Sequence, residues 1–242
     1  MTRGQGMTTI GLIGGTSWES TAVYYRLLNE GIRARRGGLH SAEILLHSLD
    51  FAPLAARMTA GDWDGVGDVL AASARRLERG GADCVLLCTN TMHKVADCIV
   101  AATRLPFLDL VDLTAKTIAG SRSRRPLLLA TGFTMEQPFY RERLAKAGLA
   151  PIVPGEADRA AVHQIIFAEL CRGVVSPQSK ERFLEIIVRA TEEEGADGVI
   201  LGCTEIGLLI SQADVTLPVF DTTALHVEAA LDFALAAESQ AA

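Results

Sequence analysis

The chain has 242 residues, between one and two ordinary domains at roughly 150 residues each. Its 23 Lys and Arg stand against 29 Asp and Glu, a net charge of −6, and only four of the cations are lysines. That balance excludes the basic footprint of a nucleic-acid or anionic-membrane binder. With 49% hydrophobic and 21% charged residues the chain can fill a core, and no apolar run approaches the roughly 20 residues that span a bilayer. Residues 1–6 are polar and hold no signal-peptide core. Five cysteines, an odd number without tight spacing, argue against a disulfide framework. The expectation is a reduced, cytoplasmic protein with no nucleic-acid or membrane partner.

In chain order, β-rich apolar runs at 9–13, 44–46, 84–87, 126–129 and 199–201 read as buried parallel strands. Amphipathic segments at 19–35, 63–79, 160–171 and 180–194 lie between them and read as helices. Such alternation predicts an α/β fold with helices on both faces of parallel sheets.

The chain also resembles itself. Gly81-Ala82-Asp83 opens a strand that ends at Cys88-Thr89, and Gly195-Ala196-Asp197 opens one that ends, with one extra glycine, at Cys203-Thr204. The first strings are offset by 114, Leu105-Pro106 and Leu217-Pro218 by 112, and Thr16 with Tyr25 matches Thr131 with Tyr140 at 115. Concordant offsets predict two similar doubly wound parallel-sheet domains, related by pseudo-twofold symmetry with a cleft between them. The expected boundaries are 8–113 plus 215–242 for the first domain and 114–214 for the second, with everything from Val215 returning to the first.

Cys88 and Cys203 stand at equivalent strand ends, where parallel α/β sheets bind ligands. The polar residues after them, Thr89-Asn90-Thr91 and Thr204-Glu205, read as helix N-caps, a setting that lowers a thiol pKa. Buried cysteine is common in cores, and Cys84, Cys98 and Cys171 are read that way. A pair at corresponding places in a duplicated fold favours catalysis. Two opposed thiols suit racemisation: one removes an α-proton and the other returns a proton to the opposite face.

Gly11, Gly14 and Gly15 follow a strand and precede a helix. Their spacing is wrong for a dinucleotide, and His47-Ser48 stand where a ribose-binding acid belongs, so a carboxylate cradle is the better reading. A tight turn needing glycine explains Gly11 equally well. His93 either shuttles protons or serves structure; Glu205 either orients Cys203 or supports a helix start. Asp50 either faces the site or caps a helix. His40, His163 and His226 lack metal-ligand spacing, so no metal is expected. No lysine suggests a pyridoxal Schiff base, so no cofactor is expected. Trp18, Tyr24 and Tyr25 read as packing or dimer-face residues.

The strings Ile10-Gly-Leu-Ile-Gly-Gly-Thr-Ser-Trp-Glu-Ser-Thr21 with Tyr24-Tyr25, Cys88-Thr-Asn-Thr-Met-His93 and Gly202-Cys-Thr-Glu205 resemble the aspartate/glutamate racemase family over nearly the whole chain. The resemblance implies a cofactor-independent two-base mechanism with Cys88 and Cys203 as the acid/base pair. It further implies substrate contacts from Thr16, Ser17, Asn90, Thr91 and Thr204, and a homodimer acting on a small amino acid. Glutamate racemases usually carry histidine after the second Cys-Thr, where this chain has Glu205. Aspartate-specific members hold the side-chain carboxylate with an arginine and a lysine. Here His47-Ser48-Leu49-Asp50-Phe51 has no arginine before Arg57, and Ala161 falls at the lysine position, with Arg159 near. The pattern is more similar to the broad-specificity racemases, which brings in neutral polar substrates such as homoserine beside aspartate and glutamate. Maleate isomerases, hydantoin racemases, a carboxylate-binding module and a thiol redox pair remain alternatives.

Overall fold

The computed structural model describes residues 8–239. The polar segment 1–6 lies outside them. The chain forms two compact α/β units: one comprises its N-terminal part through Asp109 and the C-terminal residues from His226, the other runs from Leu110 to Leu225.

The first unit contains β1 (Ile10–Gly14), α1 (Trp18–Arg36), β2 (Ile44–Ser48), α2 (Phe51–Ala60), α3 (Trp63–Gly80), β3 (Cys84–Leu87), α4 (Asp97–Ala102) and β4 (Phe107–Leu108). Its sheet is parallel, in the order β2-β1-β3-β4. The central strands β1 and β3 are buried throughout, as apolar runs in a parallel sheet must be, whereas the edge strand β2 is partly exposed.

The second unit contains α5 (Leu110–Ala119), β5 (Pro126–Ala130), α6 (Gly132–Glu136), α7 (Pro138–Lys146), α8 (Glu156–Ala168), α9 (Pro177–Glu194), β6 (Gly198–Gly202) and β7 (Val219–Asp221). Its parallel sheet runs β5-β6-β7, and Ile152 adds a single parallel bridge to Leu127 on the free side of β5. A last helix, α10 (Thr222–Ser239), begins in this unit and runs on into the first. There Val227, Ala230, Leu231 and Ala234 join the core of Ile10, Leu12, Tyr24, Leu28 and Ile32.

The two sheets repeat in register. Val85 pairs with Phe107, and Val199 with Val219, which are the same partners displaced by 114 and 112. The boundaries differ from expectation by four residues at the first break, which falls after Asp109, and by more at the second. The strand at Val219–Asp221 pairs with β6, so the second unit keeps its own Leu-Pro strand and the return to the first unit comes at His226, not Val215. The sequence reading underestimated how late in the chain the repeat closes.

The repeated Gly-Ala-Asp string has a structural cause in both units. Gly81 and Gly195 cap α3 and α9 in the left-handed conformation, at φ 94° and 71°, where a side chain is strained. Ala82 and Ala196 are buried. Asp83 Oδ2 accepts the Thr9 N–H at 2.8 Å; Asp197 accepts the Arg124 and Arg125 N–H groups at 2.7 and 2.9 Å and the Ser123 hydroxyl at 2.6 Å. Each aspartate thus ties the start of its own strand to the start of the neighbouring one. Helix starts follow the capping rules: Ser17, Asp50, Asp62 and Ser176 each accept a backbone N–H of the first turn. Among the described residues, no helix is long and apolar enough to cross a membrane.

Candidate active site

In the first unit the chain leaves β1 through Gly15-Thr16-Ser17 and enters α1. Gly15 has φ +80°, and a Cβ there would lie 2.1 Å from the Leu49 carbonyl oxygen, so glycine is required. Ser17 has φ 85°, the one positive φ of a non-glycine residue among those described. Its hydroxyl is engaged locally: it accepts the Ser20 N–H at 3.3 Å and donates to Glu19 at 3.1 Å. The Thr21 hydroxyl accepts the Gly15 N–H at 2.8 Å and donates to the Ser17 carbonyl at 3.2 Å. Thr16 differs. Its residue is 6% exposed, and its Oγ1 has no hydrogen-bond partner within the chain. A buried hydroxyl without a partner costs about 1–3 kcal/mol and calls for an explanation such as a ligand.

Cys88 follows β3 and is fully buried. Its N–H donates to Ile13 O at 2.9 Å, and its carbonyl accepts the Ser20 hydroxyl at 3.1 Å, so the strand end carrying the thiol is fastened to the first turn of α1. The structure therefore brings Thr16, Ser17 and Cys88 to the carboxyl end of the same sheet. Asn90, Thr91 and His93 are buried just beyond. The His93 ring donates from Nδ1 to Thr89 O at 2.6 Å and lies 5.6 Å from Phe107 and 6.2 Å from His226, centroid to centroid. Its placement is that of a ring packed behind the Cys88 turn. His226 accepts the Tyr24 hydroxyl at Nδ1, 2.9 Å, and donates from Nε2 to Leu108 O, 2.7 Å; burial depresses its pKa to about 3. Asp50 stands at the start of α2. It caps α2 through Ala52 N–H at 3.2 Å and is exposed, as the capping reading expects. Of the aromatics, Tyr24 is buried while Trp18 and Tyr25 are exposed on α1.

In the second unit Cys203 follows β6, and its thiol donates to Glu205 Oε2 at 2.9 Å. Glu205 is buried, 4% exposed, and its other oxygen, Oε1, accepts the Cys171 thiol at 3.7 Å. Thr204 is buried beside them. The equivalent of the Thr16 loop is closed here: the Gly132 N–H donates to His163 Nδ1 at 3.0 Å, and the Thr131 and Thr134 hydroxyls lie 3.3 Å apart. Burial, opposed by Glu136, lowers the His163 pKa. Ala161 is half-buried on α8, and Arg159 is spent on the Pro154 carbonyl at 2.8 Å and Glu136 at 3.5 Å.

The expected thiol electrostatics need correction. Burial pushes the Cys88 thiol well above its ordinary value. Burial does the same to Cys203, reinforced by the Glu205 carboxylate and Cys171. The helices expected after each cysteine are five-residue 3₁₀ turns, Thr91–Val95 and Thr204–Leu208, and neither Asn90 nor Cys203 makes a side-chain cap bond. Without an α-helical terminus to favour the anion, desolvation wins. Cys171 packs against the core of the second unit, as expected, and also reaches Glu205; neither that contact nor the one made by His163 was anticipated from the sequence. The 115-residue offset linking Thr16 to Thr131 was the available signal for the second.

Two parallel sheets whose strands β1-β3-β4 and β5-β6-β7 correspond in order and register, with a Cys-Thr step after β3 and after β6, define a duplicated α/β protein. The family model described as Asp/Glu/Hydantoin racemase matches residues 13–230. A solved structure of a candidate Asp/Glu racemase from Yersinia pestis is 47% identical, with a TM-score of 0.86 over 95% of this chain and 100% of that one. An aspartate racemase homologue from Pyrococcus horikoshii OT3 is 35% identical, with a TM-score of 0.83 over 94% of this chain and 99% of that one. The broad specificity amino-acid racemase RacX of Bacillus subtilis is 24% identical over 74% of this chain and 76% of its own length. The chain belongs to the Asp/Glu/hydantoin racemase family, and it is an isomerase, a racemase.

Proposed function

We propose that the enzyme interconverts L- and D-amino acids without a cofactor, using Cys88 and Cys203 as an acid/base pair. The observation that carries this reading is the repetition of the Cys-Thr step after β3 and after β6, at the same place in two sheets of matching register. The reading requires the two sulfurs to meet opposite faces of one Cα. One thiolate takes the α-proton, forming an S–H bond as the C–H bond breaks, and the other thiol gives its proton to the opposite face. The thiols exchange protonation states on every turnover, so the reverse reaction starts from the product enzyme form.

Thr16 at the start of α1 receives the substrate carboxylate in this scheme. Its unpartnered hydroxyl and the positive end of a 19-residue helix suit an anion. Asn90, Thr91 and Thr204 supply further donors, and hydrogen bonds that strengthen as charge moves onto the carboxylate stabilise the deprotonated intermediate. Glu205 holds the Cys203 proton through the 2.9 Å contact. Ala161 and the engaged Arg159 leave no free cation at those two positions for a side-chain carboxylate, so the preferred substrates extend to neutral polar amino acids such as homoserine. We further propose a cytoplasmic homodimer; the exposed Trp18 and Tyr25 on one side of α1 support the pairing.

The test is proton NMR in D₂O with single enantiomers of aspartate, glutamate, homoserine, serine and methionine, and with a 5-substituted hydantoin. Loss of an amino-acid α-proton signal, stopped by Cys88→Ser and by Cys203→Ser in folded protein, is the expected result. Near-normal turnover in either variant refutes the two-thiol mechanism. Exchange confined to the hydantoin refutes the amino-acid substrate.

A further inference from the structure

Three acidic side chains of the second unit are joined through one buried carboxylate. Cys203 donates to Glu205 Oε2 at 2.9 Å and Cys171 donates to Oε1 at 3.7 Å. Cys203 stands on the loop after β6, whereas Cys171 comes from the 3₁₀ turn Leu170–Arg172 that follows α8. The second thiol therefore reaches the carboxylate from an independent element. A carboxylate held only at one oxygen rotates about its terminal torsion, which is broad and has no staggered well. Donors at both oxygens fix it. Glu205 is also 4% exposed, so these thiols stand in place of the water that would otherwise satisfy it.

We infer that Cys171 is a positioning residue for the racemisation: it clamps Glu205 so that Oε2 serves as the proton partner of Cys203. The inference rests on the assignment of Cys203 as an acid/base group. The triad holds two thiol protons and one negative charge. When Cys203 is needed as a base, its S–H bond breaks and an O–H bond forms on Glu205 Oε2, leaving a thiolate beside a carboxylic acid. No charge enters or leaves the buried site, which avoids the cost of a second buried anion. Oε1 accepts from Cys171 in both states, so the carboxyl group keeps its aim while the proton crosses. The substrate proton restores the Cys203 thiol, and with Glu205 still a carboxylic acid and Cys88 now the thiolate this is the form in which Cys203 takes its turn as the acid.

A thiol lost from position 171 removes a donor to the Glu205 carboxylate, which then takes the Cys203 proton more readily, and the ionisation of Cys203 moves downward. The experiment follows the pH dependence of Cys203 alkylation by iodoacetamide in the full-length protein, read from the mass of the peptide that contains it. In Cys171→Ala the midpoint falls by about half to one pH unit, the scale of a weak hydrogen bond to a charge. Cys171→Ser, which keeps a donor, returns it toward the wild-type value, and the pH profile of kcat/KM moves with both. In a Glu205→Gln background Cys171→Ala produces no further shift, because the shared partner can no longer take the proton.

An unmoved midpoint in Cys171→Ala overturns the inference. So does a serine variant displaced as far as the alanine one, since packing alone then explains the effect. Alkylation reads the triad whether or not Cys203 moves the substrate proton. Turnover persisting in Cys203→Ser sinks the two-thiol mechanism by itself; an unmoved midpoint sinks the clamp by itself.

Discussion

Replacing Thr16 by valine separates a ligand-binding hydroxyl from a structural one, because the two roles carry opposite signs. The hydroxyl is buried with no partner within the chain, so the isosteric valine breaks no internal hydrogen bond and removes the desolvation of an unmet polar group. That desolvation is worth about 1–3 kcal/mol in mutational series. The free protein should keep its stability or gain up to about 1 kcal/mol, a few degrees in Tm for a chain of this size. The substrate carboxylate loses one charge-assisted hydrogen bond of about 1.5–3 kcal/mol, so kcat/KM falls by about 10- to 150-fold. Thr21, one turn away, supplies the control. Its hydroxyl accepts the Gly15 N–H and donates to Ser17 O, so Thr21→Val leaves a buried donor unmet and costs about 1–3 kcal/mol of stability. Urea titration gives the stabilities and D₂O exchange gives the rates. A Thr16→Val variant that is less stable and turns over normally would refute the binding role.

His226 is buried with its pKa depressed to about 3, while the unfolded ring titrates near 6.5. Below pH 6.5 the unfolded chain binds a proton that the native one refuses, so stability falls as pH drops toward 3 and this ring removes about 2 kcal/mol between pH 7 and 5. His226→Gln should lose that much less over the same interval in urea titrations, and equal losses would show that the ring titrates normally in the folded state. Asp197 resists its own burial: hydrogen bonds from Ser123, Arg124 and Arg125 hold its carboxyl below the usual range. Its contribution is therefore present above about pH 4 and lost as the carboxyl protonates at lower pH. Asp197→Asn should cost about 1–2 kcal/mol at pH 7 and markedly less at pH 3, and a constant difference would count against the charged role. Ala161→Lys supplies a cation on half-buried α8 and should raise the aspartate-to-homoserine ratio of kcat/KM at least about tenfold. An unchanged ratio would detach position 161 from substrate choice.

The repeat was legible because backbone geometry demanded it twice. Gly81 and Gly195 must turn left-handed at a helix end, and Asp83 and Asp197 must bridge two strand starts, so the same string recurs 114 residues on. The cap at Asp50 was legible for the same reason, as a short polar side chain satisfying a first-turn N–H group. The acidity of the thiols was not. A Cys-Thr step promises a helix terminus, but whether the following residues wind into an α-helix or stop as a 3₁₀ turn depends on packing that local sequence does not encode. Cys171 was invisible for a stronger reason: its contact spans 34 residues and joins elements with no shared motif.

Duplication supplies two similar strand ends, and racemisation asks two similar thiols to do mirror-image work, yet the surroundings of the two cysteines have diverged. After β5 the Gly132 N–H is taken by His163 and the Thr131 hydroxyl lies 3.3 Å from that of Thr134, while after β1 the Thr16 hydroxyl has no partner in the chain. Conversely Cys203 has a carboxylate at 2.9 Å, while Cys88 is surrounded by apolar burial and backbone. The proposed substrate is itself unsymmetric, with a carboxylate to be held on one side and a proton to be exchanged on both. In the proposed scheme a duplicated scaffold meets that requirement by specialising one half in anion binding and the other in proton storage. Equal halves would present two carboxylate cradles to one carboxylate, and the unused one would be left with the cost of its buried unpartnered donor. In the second unit the Thr131 hydroxyl, the counterpart of Thr16, has the Thr134 hydroxyl 3.3 Å away.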